Sequence, residues 1–344
     1  MNYLRRTVLT LIVTNECDAR CSHCLSESFP GGRFKMSSKE IHSAVIQSEQ
    51  MMKSFIVVFT GGEPTSLGDE LLENIAWVSN RGHPTRVVTN AGWASSTERA
   101  KKVINNFRES GLDEINFSLD DFHANWIDPV CVKRAYQLSM NKGFTAVVIA
   151  LAQSSQSKIN VRWVRDNIDP QIEVIDIRNF YCDRKLTPRK DGTLYSLAIH
   201  EYSRIGRGRR LPSRYFDENP LLSLTNTPCE ESLNSLTVDY CGNIAGCCGL
   251  KLQNNKMLVV GNTHYGSIKS QFEKGCEDTV LRILREKGPR YLLNKLLFWN
   301  PKLSFRGKYG SMCEICEDIS MSREAMLTLQ DHLEELDSDL STSK

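Results

Sequence analysis

The sequence predicts an α/β fold, a partial (β/α)6 TIM-like barrel followed by a small cysteine-rich domain. In the first half of the chain, short apolar runs rich in β-branched residues alternate with helical patterns. This alternation is typical of repeated βα units and a parallel sheet. Farther along, cysteines gather between residues 229 and 316. A length of 344 residues with 40% hydrophobic composition suits roughly two globular domains.

Six strands are predicted in the barrel, each from one short β-branched run. They are VLTLIVT (8–14), FIVVFTG (55–61), TRVVTNA (85–91), EINFSLD (114–120), TAVVIAL (145–151) and IEVIDI (172–177). Helical patterns fill the intervals between them. One helix is predicted over residues 37–52, where Ser37 and Glu40 stand in the order of a capping box.

Three regions are predicted along the chain: the barrel over residues 1–220, the cysteine-rich domain over 221–325 and a polar tail over 326–344. The stretch 204–220 is rich in Arg, Gly and Pro, which favours a solvated linker between the domains. Its clustered guanidinium groups could instead contact a phosphate or an acidic substrate. They belong to Arg204, Arg207, Arg209, Arg210 and Arg214. The closing EELDSDLSTSK is low in apolar side chains, so we expect a frayed helix end and a disordered tail.

Charge and hydropathy exclude several classes of partner. Forty-three basic and 41 acidic side chains leave a formal charge of +2, so nucleic acid and anionic membranes are not expected partners. The apolar run 8–13 is short and lacks a cleavage site, and no stretch approaches about 18 apolar residues. We therefore expect a cytoplasmic protein. In a reducing compartment, twelve cysteines more often indicate metal binding than disulfides.

A first cysteine motif directly follows the first predicted strand. Cys17, Cys21 and Cys24 are separated by three and then two residues. Three thiolates on one tight loop can hold three corners of an iron–sulfur cubane and leave its fourth iron open. The alternative is zinc, which usually takes a fourth nearby ligand, and His23 is too close in sequence to complete that site easily.

A second motif, TGGEP at residues 60–64, follows the second strand. Its two glycines let the backbone approach a ligand closely, and the adjacent carboxylate can accept hydrogen bonds from an ammonium group. Alone, this would be a common turn. Because it lies one βα unit after the first cysteine motif, the two motifs together indicate a shared ligand site.

Polar side chains also end the third and fourth strands. Thr89 and Asn90 lie at the end of one, and Ser118 and Asp120 lie at the end of the other. At the carboxyl rim of a parallel barrel, such side chains can reach ribose hydroxyls or a carboxylate. Helix capping or turn formation is the alternative, equally favoured for Asn90. His123 is placed near the same mouth, although an isolated histidine is more often a hydrogen-bonded surface residue.

CxxxCxxC after a first strand, followed by GGEP, resembles the radical S-adenosylmethionine (SAM) superfamily. The resemblance implies a 4Fe-4S cluster on Cys17, Cys21 and Cys24, whose open iron is chelated by the amino and carboxylate groups of SAM. His23 would lie near the adenine, where other members often carry an aromatic residue. The other SAM-binding positions implied are Thr60, Gly61, Gly62, Glu63, Asn90, Ser118 and Asp120, with GGEP at the amino group and the last two at the ribose.

The downstream cysteines form a second pattern. Cys229 precedes Gly242 and Cys247, and the pair Cys313 and Cys316 follows in CEIC. Four such thiolates could enclose a fully protein-ligated 4Fe-4S cluster. The pattern resembles the twitch domain, a short relative of the SPASM domain found after many radical SAM barrels, which implies one auxiliary cluster. The alternative is a four-cysteine structural zinc.

Five cysteines remain outside these two sets: Cys131, Cys182, Cys241, Cys248 and Cys276. Most are expected to be buried small apolar residues. Cys241 or Cys248 could replace Cys247 as a ligand, although the spacing from Gly242 favours Cys247. Cys248 and Cys241 are also the candidate hydrogen-atom donors that some radical epimerases require.

The resemblance implies an enzyme that reductively cleaves SAM to a 5′-deoxyadenosyl radical, which removes a hydrogen atom from the substrate. It implies a one-electron donor such as flavodoxin or ferredoxin. The favoured substrate is a ribosomally made peptide, modified by a crosslink, thioether or epimerisation. The barrel begins almost at residue 1, which leaves no room for a leader-peptide-binding domain and weakens that choice. The alternatives are oxidation or epimerisation of a sugar or aminoglycoside and, remotely, a non-enzymatic zinc-binding module.

Overall fold

In the computed structural model, residues 8–176, 186–217, 226–247 and 255–341 are described. Ten strands form one sheet in the order β10-β9-β8-β1-β2-β3-β4-β5-β7-β6. The strands are β1 Val8–Thr14, β2 Ile56–Gly61, β3 Thr85–Thr89, β4 Glu114–Leu119, β5 Ala146–Gln153, β6 Glu173–Asp176, β7 Leu194–Glu201, β8 Ser235–Asp239, β9 Asn243–Ala245 and β10 Val259–Asn262. From β8 to the β6 edge, every pair of neighbouring strands in this order is parallel. Beyond β8, β9 and β10 continue the sheet as antiparallel strands.

Eleven α-helices lie within the described residues. They are α1 Ser38–Glu49, α2 Asp69–Asn80, α3 Thr97–Glu109, α4 Pro129–Ser139, α5 Val161–Asn167, α6 Ile268–Gly275, α7 Thr279–Glu286, α8 Pro289–Trp299, α9 Met312–Met321, α10 Arg323–Asp331 and α11 Leu333–Ser341. The first begins with the predicted capping box, since the Ser37 side chain accepts from the Glu40 amide and the Glu40 side chain accepts from the Ser37 amide. None of the described helices combines the length and apolar character needed to cross a membrane.

The alternation of side chains along β1 sets the two faces of the sheet. Leu9, Leu11 and Val13 are fully buried in the hydrophobic core. The intervening Thr10 and Ile12 point to the opposite face and line a cavity. Helices α1 to α4 cover the core face, each with at least one buried side chain in the same cluster, such as Ile41, Ile75, Ile104 and Tyr136.

The predicted partial barrel is confirmed, and each of the six predicted strands is found within two residues of its predicted ends. Strand β7 was not predicted. It lies between β5 and β6, where Ala146 to Gln153 pair with Leu194 to Glu201 over the full length of both strands. The strand predicted at the end of the barrel, β6, is therefore the edge of the sheet.

The second half of the chain has its own hydrophobic cluster but also joins the barrel sheet. Helices α7, α8, α10 and α11 bury leucines in this second cluster, and α9 buries Ile315 and Ile319 there. Strand β8, within the predicted cysteine-rich domain, pairs with β1 from Val8 and Ser235 to Ile12 and Asp239. The domain boundaries remain predictions.

The predicted disordered tail is wrong as far as residue 341, because residues 323–341 form α10 and α11. Leu336 and Leu340 are buried in the second cluster, one helical turn apart. The acidic residues between them are paired: Asp339 accepts from the Tyr291 hydroxyl at 2.7 Å and lies 2.8 Å from Lys295 Nζ. The polar composition thus reflects one helix face that binds α8.

The predicted solvated linker is also wrong for the described residues 204–217. Ile205, Gly206, Gly208 and Phe216 are buried. The segment makes two short 3-10 turns, and the first, Gly206–Arg210, contacts the cysteine loop, defined here as residues 17–28 that follow β1.

Candidate active site

A cavity of about 380 Å³ lies over the carboxyl ends of the parallel strands. This rim is where barrels of parallel strands bind ligands. The lining residues come from the cysteine loop, from β1, β2, β3, β4, β5 and β7 with the turns that follow them, and from the turn that contains Arg207. Those with chemical groups of interest are Cys17, Cys21, His23, Cys24, Ser26, Ser28, Thr60, Gly61, Gly62, Thr89, Asn90, Ser118, Asp120, His123, His200, Tyr202 and Arg207.

All three cysteines of the first motif line this cavity. Cys24 N donates to the Cys21 carbonyl at 3.2 Å, and Ala19 N lies 3.4 Å from Cys17 Sγ. Burial raises the pKa of the Cys17 thiol to about 12 and also raises the pKa of Cys21. Iron binding requires thiolates, so coordination of a metal would have to supply the energy that deprotonates these buried groups.

The two glycines of TGGEP hold the end of β2 against the cysteine loop. Gly62 N donates to the Thr14 carbonyl and Glu63 N to the Glu16 carbonyl, both at 2.7 Å. A Cβ at Gly62 would lie 1.8 Å from the Glu16 carbonyl oxygen, and one at Gly61 would lie 2.4 Å from that of Thr14. Only glycine permits this approach, so the motif has a structural role beside any contact with a ligand.

The carboxylate of Glu63 is buried and accepts four hydrogen bonds from the protein. Oε1 accepts from the Thr65 and Thr89 hydroxyls, both at 2.7 Å, and from the Thr65 amide, while Oε2 accepts from the Asn90 amide at 2.8 Å. Burial raises the pKa of Glu63 to about 7, although these bonds act in the opposite direction. Glu63 is not among the residues that line the cavity, whereas Thr60, which precedes the two glycines, is.

Asp120 binds two histidines. Oδ1 accepts from the Phe122 and His123 amides, and Oδ2 lies 2.6 Å from His123 Nδ1 and 3.1 Å from His23 Nε2. Burial disfavours its charge, but the two imidazoles hold the pKa of Asp120 well below its usual range. Burial lowers the pKa of His123, but Asp120 outweighs this and raises it. Most acceptor capacity of the predicted ribose ligand Asp120 is thus used within the protein.

His23 forms part of an aromatic wall of the cavity. Its ring stacks on Phe122 at a centroid distance of 5.2 Å and meets the edge of Tyr202 at 5.5 Å. Its Nδ1 is buried and has no hydrogen-bond partner. Since buried polar atoms are normally bonded, this nitrogen indicates a polar group of a ligand in the cavity.

Asn90 joins the end of β3 to the cysteine loop. Its side-chain nitrogen donates to Asp18, while its side-chain oxygen accepts from Gly92 N at 2.8 Å. The second bond is the turn-forming alternative considered for this residue, and Asn90 also lines the cavity. Ser118 lines it as well.

His200, Tyr202 and Arg207 line the cavity but were not among the predicted cofactor-binding residues. The first two end β7, the strand that was missed, and Arg207 lies in the segment interpreted as a linker. Burial lowers the pKa of His200. A sequence signal for His200 and Tyr202 is HEYS (200–203), a run of mostly polar residues at the end of an apolar strand. The ends of β3 and β4 are polar in the same way.

The four cysteines predicted to bind an auxiliary iron–sulfur cluster each belong to, or contact, the second hydrophobic cluster. Cys247 and Cys316 are buried in it, and Cys313 packs against it. Cys229 N donates to the carbonyl of Leu284, a member of the same cluster, at 3.0 Å. The ligand set itself remains a prediction.

The remaining cysteines have different positions. Cys131 is a buried residue of α4, as expected, and Cys276 is half-buried between the two clusters. Cys241 lies in the turn between β8 and β9 and is not among the cavity-lining residues, so its role as a hydrogen donor remains a prediction. Cys182 and Cys248 lie outside the described residues.

A family model described as Radical SAM superfamily matches residues 11–159. This stretch contains the cysteine loop, TGGEP and the polar ends of β3 and β4. The chain is a radical SAM enzyme. Its cofactors are therefore a 4Fe-4S cluster and SAM. The cavity fits them, because three thiols supply the soft ligands that iron–sulfur clusters use and His23 Nδ1 offers an unused polar atom.

Individual relatives of this radical SAM enzyme differ in how much of the chain they match. It is 21% identical over 322 residues to the Putative peptide biosynthesis protein YydG of Bacillus subtilis (strain 168), with 92% of each chain covered. It is 27% identical over 170 residues to the GTP 3′,8-cyclase of Vibrio vulnificus (strain YJ016), with 46% of each covered. Among solved structures, native anSMEcpe with bound AdoMet is similar with a TM-score of 0.44 at 14% identity, over 96% of this chain and 98% of that one.

Proposed function

We propose that Cys17, Cys21 and Cys24 hold the 4Fe-4S cluster and that the adjacent cavity binds SAM. One observation carries this proposal: three thiols of one loop and the polar ends of β2, β3 and β4 line the same cavity. Its volume of about 380 Å³ falls within the range of roughly 300–1,000 Å³ of small-molecule sites.

When bound, the cluster and SAM supply a 5′-deoxyadenosyl radical that removes a hydrogen atom from the substrate. The protein binds SAM and excludes water. Backbone groups of residues 60–62 would bind the SAM amino group, the Ser118 hydroxyl the ribose and His23 Nδ1 the adenine. Phe122 and Tyr202 pack around His23 and keep this wall dry. Glu63 acts from behind this wall by fixing the end of β3, while Asp120, which lines the cavity, fixes the imidazoles of His23 and His123.

The substrate class we propose is a ribosomally made peptide, modified by a crosslink, a thioether or epimerisation. Similarity to a protein named for peptide biosynthesis extends over 92% of both chains, whereas the match to a nucleotide cyclase covers 46%. The extended match includes the second half of the chain, with β8 and the helices that follow it. This half is where we expect substrate-specific features.

The proposal is tested with the full chain, reconstituted anaerobically with iron and sulfide and supplied with SAM and dithionite. The peptide encoded by the nearest short reading frame beside the gene is compared with an aminoglycoside. Formation of 5′-deoxyadenosine together with a changed mass or a D-residue in the peptide is expected. Turnover of the aminoglycoside with an unchanged peptide would replace the substrate class. Bound zinc without iron or SAM cleavage would overturn the whole proposal.

We further propose that Cys229, Cys247, Cys313 and Cys316 bind an auxiliary 4Fe-4S cluster. The support is their common position at the second hydrophobic cluster, three of them packed within or against it and the fourth bonded to it through its amide. The auxiliary 4Fe-4S cluster would accept an electron from the substrate or shape the substrate pocket.

Changing Cys313 and Cys316 together to alanine is expected to lower the iron content from about eight to about four atoms per chain, because one of two four-iron clusters is lost. Iron and sulfide are measured after anaerobic reconstitution. Cys276→Ala is the matched control, because Cys276 also packs against the second hydrophobic cluster but lies outside the proposed set of iron ligands. Loss of four irons in the control, or none in the double variant, would require a different ligand set.

A further inference from the structure

Residues 203–209, which we name the arginine strap, lie so close to the cysteine loop that only glycine fits at position 206. Gly206 has a φ of +55°, and a Cβ there would lie 2.4 Å from the Leu25 carbonyl oxygen and 2.7 Å from that of Cys24. A Cβ at Gly208 would lie 2.2 Å from the Ser203 carbonyl oxygen. The strap and the loop are therefore in direct backbone contact.

Arg207 bonds to three carbonyl groups of the cysteine loop. Its amide donates to Cys24 O at 3.1 Å, Nε to Cys21 O at 2.8 Å and Nη2 to Ser28 O at 2.7 Å. Two of these carbonyls belong to the proposed cluster ligands, and the side chain also lines the cavity. One residue thus fixes the backbone that carries two of the three thiols.

The opposite side of the strap is bound by two buried glutamates of α9. Glu314, which follows Cys313, accepts from Arg204 N at 2.7 Å and lies 3.4 Å from Arg204 Nη1. Glu317, which follows Cys316, accepts from Gly206 N at 2.9 Å and lies 3.3 Å from Arg209 Nε. The same helix that carries the CxxC pair therefore holds the strap.

The charges make this attachment hard to break. The side chains of Glu314 and Glu317 are 0% and 2% exposed, and a buried carboxylate that loses its partner is strongly destabilising. Arg204 and Arg209 supply those partners, while Arg207 faces the cysteine loop. The contacts thus form a continuous connection from α9 through the strap to the loop. The Arg207 guanidinium also places a positive charge beside Cys21, which favours the more negative, reduced form of a bound cluster.

We propose that the arginine strap couples helix α9 to the SAM-cluster loop and that Arg207 is the positioning residue that fixes this loop and raises the reduction potential of its cluster. The effect on potential rests on the proposed function of Cys17, Cys21 and Cys24. The effect on the loop does not, since it concerns contacts made by the protein alone.

The test compares Arg207→Gln, Arg207→Lys and Glu317→Gln with the control Arg210→Gln, whose residue is exposed at the end of the same turn. Hydrogen–deuterium exchange of residues 17–28 is measured in the full-length protein without iron. We expect exchange about tenfold faster in Arg207→Gln and in Glu317→Gln, since the first loses two side-chain bonds to the cysteine loop and the second loses the charge that binds Arg209. The control should match the parent.

The second readout is the midpoint potential of the SAM cluster, followed by electron paramagnetic resonance in reconstituted protein. Arg207→Gln should shift it to a more negative value, and Arg207→Lys should restore most of the parent value because it keeps the charge. Unchanged exchange and potential in both Arg207 variants would overturn the proposal while leaving the function intact. Faster exchange in Arg207→Gln, together with a parent protein that binds no iron on reconstitution, would instead support the strap and refute the cluster assignment.

Discussion

Replacing Cys17, Cys21 and Cys24 together with alanine is expected to abolish formation of 5′-deoxyadenosine from SAM. The three thiols line one cavity, and no other described cysteine lines it. Without them the cluster has no protein ligands there, so no electron reaches SAM. The measurement is chromatography of 5′-deoxyadenosine after anaerobic reconstitution, with iron content determined on the same samples. We expect the background rate and about half of the parent iron.

The control for this variant is Cys131→Ala. Cys131 is buried in α4 within the same hydrophobic core but does not line the cavity. It should retain the parent iron content and SAM cleavage. Far-ultraviolet circular dichroism of both proteins separates loss of the cluster from loss of the fold. A triple variant that formed 5′-deoxyadenosine at the parent rate would show that the cluster lies elsewhere.

The barrel could be predicted because its strands carry their own local signal. The runs at 8–14 and 114–120 are apolar and β-branched, and burial on at least one face follows directly from that pattern. Strand β7 mixes tyrosine, serine and histidine with its apolar residues, so the run LYSLAIHE carries a weaker signal. Its position between β5 and β6 depends on pairing across the chain, which local sequence does not specify.

The cysteine loop could also be predicted, since the spacing of its ligands is local. The hydrogen-bonding partners of Glu63 could not be predicted in the same way. A glutamate after two glycines predicts contact with an ammonium group, but its bonding partners Thr89 and Asn90 come from the next strand. Only the assembled sheet places these donors around the carboxylate, and the contact of Glu63 with the SAM amino group stays a prediction.

The arginine strap is a second case in which the bonding partners of a residue lie far away in the sequence. Several arginines among glycines and a proline predict a solvated linker, because charged side chains are rarely buried without partners. Here the partner of Arg204 is Glu314, which is 110 residues farther along the chain. Composition identifies the charges but not the buried carboxylates that neutralise them. The composition therefore predicts a solvent-exposed segment, although Gly206 and Gly208 lie buried on the cysteine loop.

Gly62→Ala is expected to lower SAM cleavage about a hundredfold while leaving the auxiliary iron in place. The added Cβ would lie 1.8 Å from the Glu16 carbonyl oxygen, so the end of β2 or the cysteine loop must move. Both line the cavity, and a displacement of about 1 Å near reacting groups costs on the order of a hundredfold in rate. Overpacking of this kind also destabilises by about 1–3 kcal/mol. The measurements are 5′-deoxyadenosine formation, iron content and thermal unfolding.

Gly82→Ala separates this clash from the general effect of replacing a glycine. Gly82 has a φ of +81° and no atom within 4 Å of an added Cβ, so its replacement strains the backbone without touching the site. It should unfold at a lower temperature, as Gly62→Ala does, but retain the parent iron content and SAM cleavage. If both variants lost cleavage equally, the loss would follow from stability alone. A Gly62→Ala protein with parent activity would show that the end of β2 does not position the cysteine loop, since the overlap with Glu16 could then be relieved without consequence.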